Sequence, residues 1–218
     1  IKEIFHSTNL RYFHCKNYKS RLVRTTIDAL ATFTSMPIIG SGELEFPEEH
    51  TFAIYTDVVI DGDKVRIYNV HLESIRLGED DLSLYSNLSS LNAENHDLKS
   101  GLRRMVLKFR KAFIKRAQQV AVLEKSINES PFPVIVCGDF NDTPSSYSYN
   151  TLTKNLDDTF RKAGGGFLSS TYAGNFPSFR IDYILINEKF KAYEYQKYGI
   201  SLSDHYPVSV YVNFAPAK

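Results

Sequence analysis

Val134-Ile135-Val136-Cys137-Gly138-Asp139-Phe140-Asn141-Asp142 is an apolar run that ends abruptly in two carboxylates and an amide. Such a stretch reads as a buried strand delivering polar groups to the rim of a sheet. Much later, Ser203-Asp204-His205 stands immediately before another apolar run, Tyr206 to Val212. Carboxylate, amide and imidazole together are the equipment of metal-assisted hydrolysis.

Around these stretches the composition is that of an ordinary globular chain. With 218 residues, 43% of them hydrophobic, one domain over residues 1–218 is expected. The formal charge is +1, from 26 basic and 25 acidic side chains, so no overall positive field draws the chain to a nucleic-acid backbone. Lys and Arg cluster between Lys99 and Lys125, mostly at a helical spacing that suits a solvated helix face. Cys137 sits inside the most apolar strand, which predicts a buried thiol and no disulfide with Cys15. No apolar run approaches the length of a membrane span, and no signal peptide opens the chain. Because the first residue is Ile1, the chain reads as a piece of a longer polypeptide, and its compartment is left open.

Residues 10 to 18 and 29 to 34 read as short strands, the second stopped by Pro37. Thr51 to Ile60 and Lys64 to Leu72 suit two strands joined by an Asp61-Gly62-Asp63 hairpin turn. In the second of these, Val65, Ile67, Asn69 and His71 share one face, which begins apolar and ends polar. Ser74 to Gly101 is polar and long, either a partly helical excursion or a functional loop. From Leu102 onward Met105, Val106, Phe109, Phe113, Val120, Leu123 and Ile127 mark a long amphipathic helix, ended by Ser130-Pro131-Phe132-Pro133. Thr143-Pro144-Ser145-Ser146 is a turn, followed by weak helical stretches through Leu152 and from Leu156 to Ala163. Ile181 to Ile186 and Tyr206 to Val212 are the last strands, with a short irregular segment between them.

His71 and Asp139 come at C-terminal strand ends, whereas Asp182 and Asp204-His205 come at N-terminal ends. In antiparallel neighbours those ends share an edge, so the five groups are expected to converge on one rim. Collecting that many ionisable groups is costly unless a cation or substrate balances them. Asp204 is assigned as a metal ligand, since a hard divalent ion takes oxygen donors and keeps waters. Asp139 suits orientation or deprotonation of an attacking water. The Asn141 amide suits the charge that builds on a phosphoryl oxygen. His205 is assigned as an acid/base, with Asp182 as the anion that holds its tautomer. Asn69, Glu73 and His14 are read as structural.

Tyr68-Asn69-Val70-His71-Leu72, Gly138-Asp139-Phe140-Asn141, Arg180-Ile181-Asp182-Tyr183 and Ser203-Asp204-His205-Tyr206-Pro207 together resemble, in order, the motifs of the endonuclease/exonuclease/phosphatase superfamily. That superfamily includes secreted deoxyribonucleases, apurinic-site endonucleases, neutral sphingomyelinases and inositol-polyphosphate 5-phosphatases. The match is closest to a bacterial branch, and Ala29 to Phe46 is similar to an upstream strand of the same fold. The resemblance implies an α+β fold, a four-layer α/β/β/α sandwich of two mostly antiparallel sheets. It also implies a phosphoester hydrolase dependent on Mg2+ or Mn2+. By resemblance, Asp139 is the water-activating carboxylate, Asn141 the phosphate-binding amide and His205 the essential imidazole with Asp182 its partner. Asp204 is likewise a metal ligand, and His71 a second phosphate-facing histidine.

One departure matters. The family's first-strand Asn and its principal metal-binding Glu have no counterpart here, which is read as truncation before the first strands. Weak or absent activity of this polypeptide alone is therefore expected, together with exposed strand edges that favour pairing into a homo-oligomer. Glu3, Glu43 and Glu73 are the residues that could substitute for the Glu. Substrate classes left open are nucleic acid, phospholipid and a small phosphate ester. The rival reading is a catalytically inactive binding module of the same fold.

Overall fold

Apolar alternation along the chain produces, in order, β1 (Tyr12–Lys19), β2 (Ile27–Thr34), β3 (Ile38–Leu44), β4 (Ala53–Ile60), β5 (Asp63–His71), the helix α1 (His96–Asn128) and β6 (Val134–Asp139). There follow α2 (Tyr147–Leu152), β7 (Asp157–Asp158), α3 (Thr159–Ala163), β8 (Asp182–Ile186), β9 (Phe190–Lys197) and β10 (Val208–Phe214). The computed structural model describes residues 8–19, 27–46, 52–78, 80–81, 83–84, 96–164, 170–174, 179–200 and 202–216.

A six-stranded sheet in the order β3-β4-β5-β6-β8-β7 carries the architecture. Its pairings are antiparallel except β5 with β6. That parallel pair requires a crossover between its strands, and the 33-residue α1 lies within it. The two faces follow from the two-residue period. Tyr68, Val70, Val136, Tyr183 and Leu185 point to one side and pack with Val120 and Leu123 of α1 and with Tyr149 and Leu152 of α2. Val58, Val65 and Ile186 point to the other and pack with Ile67, Ile135, Phe190, Val212 and Phe214.

On that second side sit two antiparallel pairs, β1 with β2 and β9 with β10. Asn69 Nδ2 donates to Ala31 O at 2.9 Å, and His14 Nδ1 lies 3.2 Å from Thr56 Oγ1, so the first pair is pinned over β4 and β5. Phe160 of α3 meets Tyr195 of β9 edge-on at 5.3 Å. The layers are those of an α/β/β/α sandwich, with the apolar area between them as its main source of stability.

Several local readings change. The segment between Ile186 and Tyr206 is not short and irregular, because Phe190–Lys197 forms a full strand against β10. Its Lys and Glu side chains mask the pattern, since most of this strand faces solvent. The last strand starts at Val208, after Pro207, which has no N–H for a ladder. Ile38–Leu44 is a strand in its own right beyond Pro37. α1 begins at His96, because its first turns are polar and carry no apolar period. The expected helix from Leu156 becomes β7 followed by a shorter helix, where the Asp158 side chain accepts from Phe160 N at 3.0 Å and caps α3. Of Ser74 to Gly101, residues 74–78 run irregularly and 80–81, 83–84 and 96 onward are helical, while 79, 82 and 85–95 lie outside the described residues.

Gly138 fixes the β5–β6 approach. Its φ is +143°, and a Cβ built there would stand 1.9 Å from Val70 O. Gly138→Ala is therefore expected to cost on the order of 4 kcal/mol or more of stability, read by chemical denaturation. Leu123→Ala, removing a fully buried side chain from the helix–sheet interface, is expected to cost about 2–5 kcal/mol in the same measurement.

Candidate active site

The rim of the six-stranded sheet is built by register. His71 of β5 pairs with Asp139 of β6, and Asp139 pairs with Asp182 of β8. Directly opposed residues of neighbouring strands point to the same face, so these three side chains form one row. The row ends the face that Val65, Ile67, Ile135 and Ile186 occupy further along. Polar groups thus emerge where the inter-sheet core stops.

His205 comes from a different part of the chain. Thr171 brings it in, because Thr171 O accepts from Tyr206 N at 2.7 Å while Thr171 Oγ1 accepts from Ile181 N and Asp182 N, each at 3.0 Å. Tyr172 and His205 form an antiparallel bridge, with their rings edge-on at 5.4 Å. As a result His205 Nδ1 lies 2.9 Å from Asp182 Oδ2, and its Nε2 lies 3.9 Å from Asp139 Oδ2. His71 Nε2 approaches the same Asp139 oxygen at 3.7 Å.

Asn141 follows in a left-handed conformation, φ +51°, which Asn tolerates better than most residues. Its backbone N–H donates to Asp139 Oδ1 at 2.7 Å. Its amide nitrogen donates to Asp139 Oδ2 at 3.0 Å and to Leu72 O at 2.9 Å. Both amide hydrogens are engaged, so the amide orients Asp139 and must release one bond to reach a substrate oxygen.

Electrostatics distinguish Asp139 from His205. Burial, with Asp182 nearby as a like charge, pushes Asp139 up to about 7. The hydrogen bond to Asp182 raises His205 to about 9 against the opposing effect of burial. Asp139, Asp182 and His205 offer ligating atoms all within 4.8 Å of one another. A protonated imidazole has no lone pair for a metal, however, so only the two carboxylates of this trio could face a hard ion. Asp204 lines the same cleft without being one of the three, and its Oδ1 accepts from Ser203 Oγ at 3.2 Å.

The cleft measures about 870 Å³. His71, Asp139, Asn141, Asp182, Asp204 and His205 all line it, so the sequence-assigned residues come together in one place. The apolar side chains of Ile75, Leu77, Phe109, Phe113 and Phe179 line it as well. Glu43 pairs with Lys16 at 2.7 Å, and Glu73 lies 3.5 Å from Lys115, so neither joins the carboxylate row. Glu3 lies outside the described residues.

Sequence reasoning missed three contributors. Arg116, fully buried, donates from Nε to Asp142 at 3.1 Å and from Nη1 to Glu73 O at 3.0 Å. Among the described residues its buried Nη2 finds no acceptor, and the side chain lines the cleft. A basic residue on the buried stripe with Ala112, Val120 and Leu123 was the available signal. Thr171 and Tyr172 gave none, because their roles rest on contacts between distant segments. Arg180, quoted in the motif, turns to the helix side and pairs with Asp158 at 2.8 Å, bracing the start of β8.

Residues 4–205 match the Endonuclease/Exonuclease/phosphatase family model. No curated protein shows significant similarity to the chain. Among solved structures, a functionally unknown conserved protein from Enterococcus faecalis V583 is similar at 15% identity and TM-score 0.60, covering 98% of this chain and 89% of that one. A mannosyl-6-phosphatase from Bacteroides thetaiotaomicron VPI-5482 is similar at 17% identity and TM-score 0.54, with 86% and 71% covered. The human Nocturnin catalytic domain with bound sulfate anion is similar at 16% identity and TM-score 0.60, with 93% and 73% covered. These likenesses are of fold. A match over nearly the whole length, on a chain whose motif residues meet at one rim, places it in the endonuclease/exonuclease/phosphatase family.

Proposed function

We propose that the protein hydrolyses a phosphate ester by in-line attack of water on phosphorus, with the help of Mg2+ or Mn2+. The observation that carries this reading is the row His71–Asp139–Asp182 closed by His205 at the floor of one cleft. A phosphatase of similar fold supports the reaction class.

The residues fit a hard divalent ion, because the half-buried carboxylates of Asp139 and Asp182 stand side by side and repel unless a cation balances them. Asp204, beside the carboxylate row in the same cleft, is the oxygen donor that would hold it, which leaves Asp139 to the attacking water. When bound, such an ion supplies charge neutralisation at the phosphoryl oxygens. Asp139, with an affinity for protons near neutrality, orients the attacking water and takes its proton. His205, kept protonated by Asp182, faces the phosphoryl oxygens and is placed to protonate the leaving group. His71, Asn141 and the unpaired Nη2 of Arg116 oppose the charge that develops in the transition state. The apolar side chains lining the cleft leave room for a non-phosphate portion of substrate, whether nucleic acid, phospholipid or small phosphate.

The alternative, a binding module without catalysis, is favoured by one observation: among the described residues no glutamate joins the acidic group. Turnover decides between them. A generic phosphodiester assayed in manganese is expected to be hydrolysed, with Asp139→Asn and His205→Ala each lowering the rate by about 10²–10⁴-fold. Chelation should abolish turnover and added manganese restore it. Phosphate binding without turnover would favour the module, and unchanged rates in both variants would remove the two residues from the mechanism.

The same groups shape stability. Asp139 binds its proton more tightly folded than unfolded, so its contribution to folding becomes unfavourable as pH rises from about 4 to about 7. His205 works in the opposite sense, since its stabilisation is full below about 6.5 and is lost as pH rises through about 9. For the metal-free protein, Asp139→Asn is expected to gain melting temperature relative to the unsubstituted chain between pH 4 and 7. The corresponding free-energy change is on the order of a few kcal/mol. A difference independent of pH would sink this electrostatic account.

A further inference from the structure

The outer face of α1 has features that neither the core nor the cleft accounts for. From Lys99 to Lys115 the helix contains no acidic residue. Lys108 and Arg104 are engaged with Asp81, and Lys115 with Glu73. Lys99, Arg103, Arg110 and Lys111 have no acidic partner among the described residues. A groove of about 610 Å³ runs between Lys99, Arg103, Arg104, Leu107, Lys108 and Lys111. Interleaved with these cations, Val106 is 63% exposed, Leu107 54%, and Phe113 and Ile114 49% each.

Helical geometry joins the two sets. At 3.6 residues per turn, Leu107, Arg103, Ile114 and Arg110 fall on one outward face, opposite the buried Met105, Ala112 and Leu123. Cations alone would make a solvated face. Large apolar side chains standing among them are unfavourable in water and favourable where headgroups meet acyl chains. A nucleic-acid backbone would engage the cations but offers nothing to Val106, Leu107 or Ile114.

We infer that this face of α1 docks on an anionic lipid bilayer, with the cations on headgroup phosphates and carboxylates and the exposed apolar side chains in the interface. The charge complementarity is local, because the chain as a whole carries only +1. The helix would lie in the plane of the surface, and no helix of the described residues is long and apolar enough to cross a membrane. Phe109 and Phe113 of the same helix line the cleft, so its mouth would open beside the bilayer.

Co-sedimentation of the full chain with vesicles tests this. Vesicles of phosphatidylcholine containing phosphatidylserine should retain at least about tenfold more protein than phosphatidylcholine alone. Replacing both Arg103→Gln and Lys111→Gln should lower that retention about tenfold or more. The double variant Leu107→Ser with Ile114→Ser should lower it comparably, with all charges kept. Circular dichroism verifies that the variants are folded. No preference for the anionic vesicles would overturn the inference. So would retention that is indifferent to the Leu107/Ile114 change, particularly with salt-sensitive binding of a single-stranded oligonucleotide that depends on Arg103 and Lys111. Hydrolysis of a soluble ester by these variants reports separately on the cleft, since none of the four residues lines it.

Discussion

The parallel pairing of β5 with β6, closed on its far side by the antiparallel β8, is the constraint from which the rest follows. Backbone hydrogen bonds fix which residues stand opposite, and this register aligns His71, Asp139 and Asp182. A slip of one residue in any strand would turn its polar group toward α1 and the helix-side core. Gly138 permits the close approach that holds the row, because the space its side chain would fill belongs to the Val70 carbonyl. Leu72 N then donates to Asp139 O at 3.0 Å and Phe140 N to Ile181 O at 2.8 Å, extending the pairing past the row itself.

Such a row is electrostatically expensive, and the surrounding fold answers with cations held on buried supports. Arg116 anchors the loops after β5 and β6 through Glu73 O and Asp142. Arg180 does the same for the start of β8 through Asp158, whose other partner is the Tyr149 hydroxyl at 2.7 Å. The Tyr183 hydroxyl lies 2.8 Å from both the Asp142 and Arg180 carbonyl oxygens, tying the two loops together. These contacts sit behind the rim. They hold its carboxylates in place without neutralising them, and so leave their charge facing the cleft.

Helix α1 serves three neighbourhoods at once. Its buried stripe packs the sheet, its Arg116 and Gln119 fix the chain around Glu73, and its outer face carries exposed apolar and basic side chains. One long element therefore couples the sheet's core, the cleft wall and the outer surface.

Strand ends and polar punctuation were readable in the residues themselves. Val134–Asp139 had to be a buried strand because its apolar run had no helical period, and its terminal Asp and Asn had to reach a rim because burial without partners is too costly. The hairpin at Asp61-Gly62 and the apolar stripe of α1 were equally plain, since both depend on near neighbours. The strand Phe190–Lys197 was hidden because an exposed strand paired at long range carries little apolar pattern. Thr171, Tyr172 and Arg116 entered the site only through contacts between segments far apart in sequence. Residue type and local period thus determined which side chains could do the chemistry. Their distances, the Asp182–His205 bond and the shifted protonation of Asp139 were decided by tertiary packing, because register and burial exist only between strands.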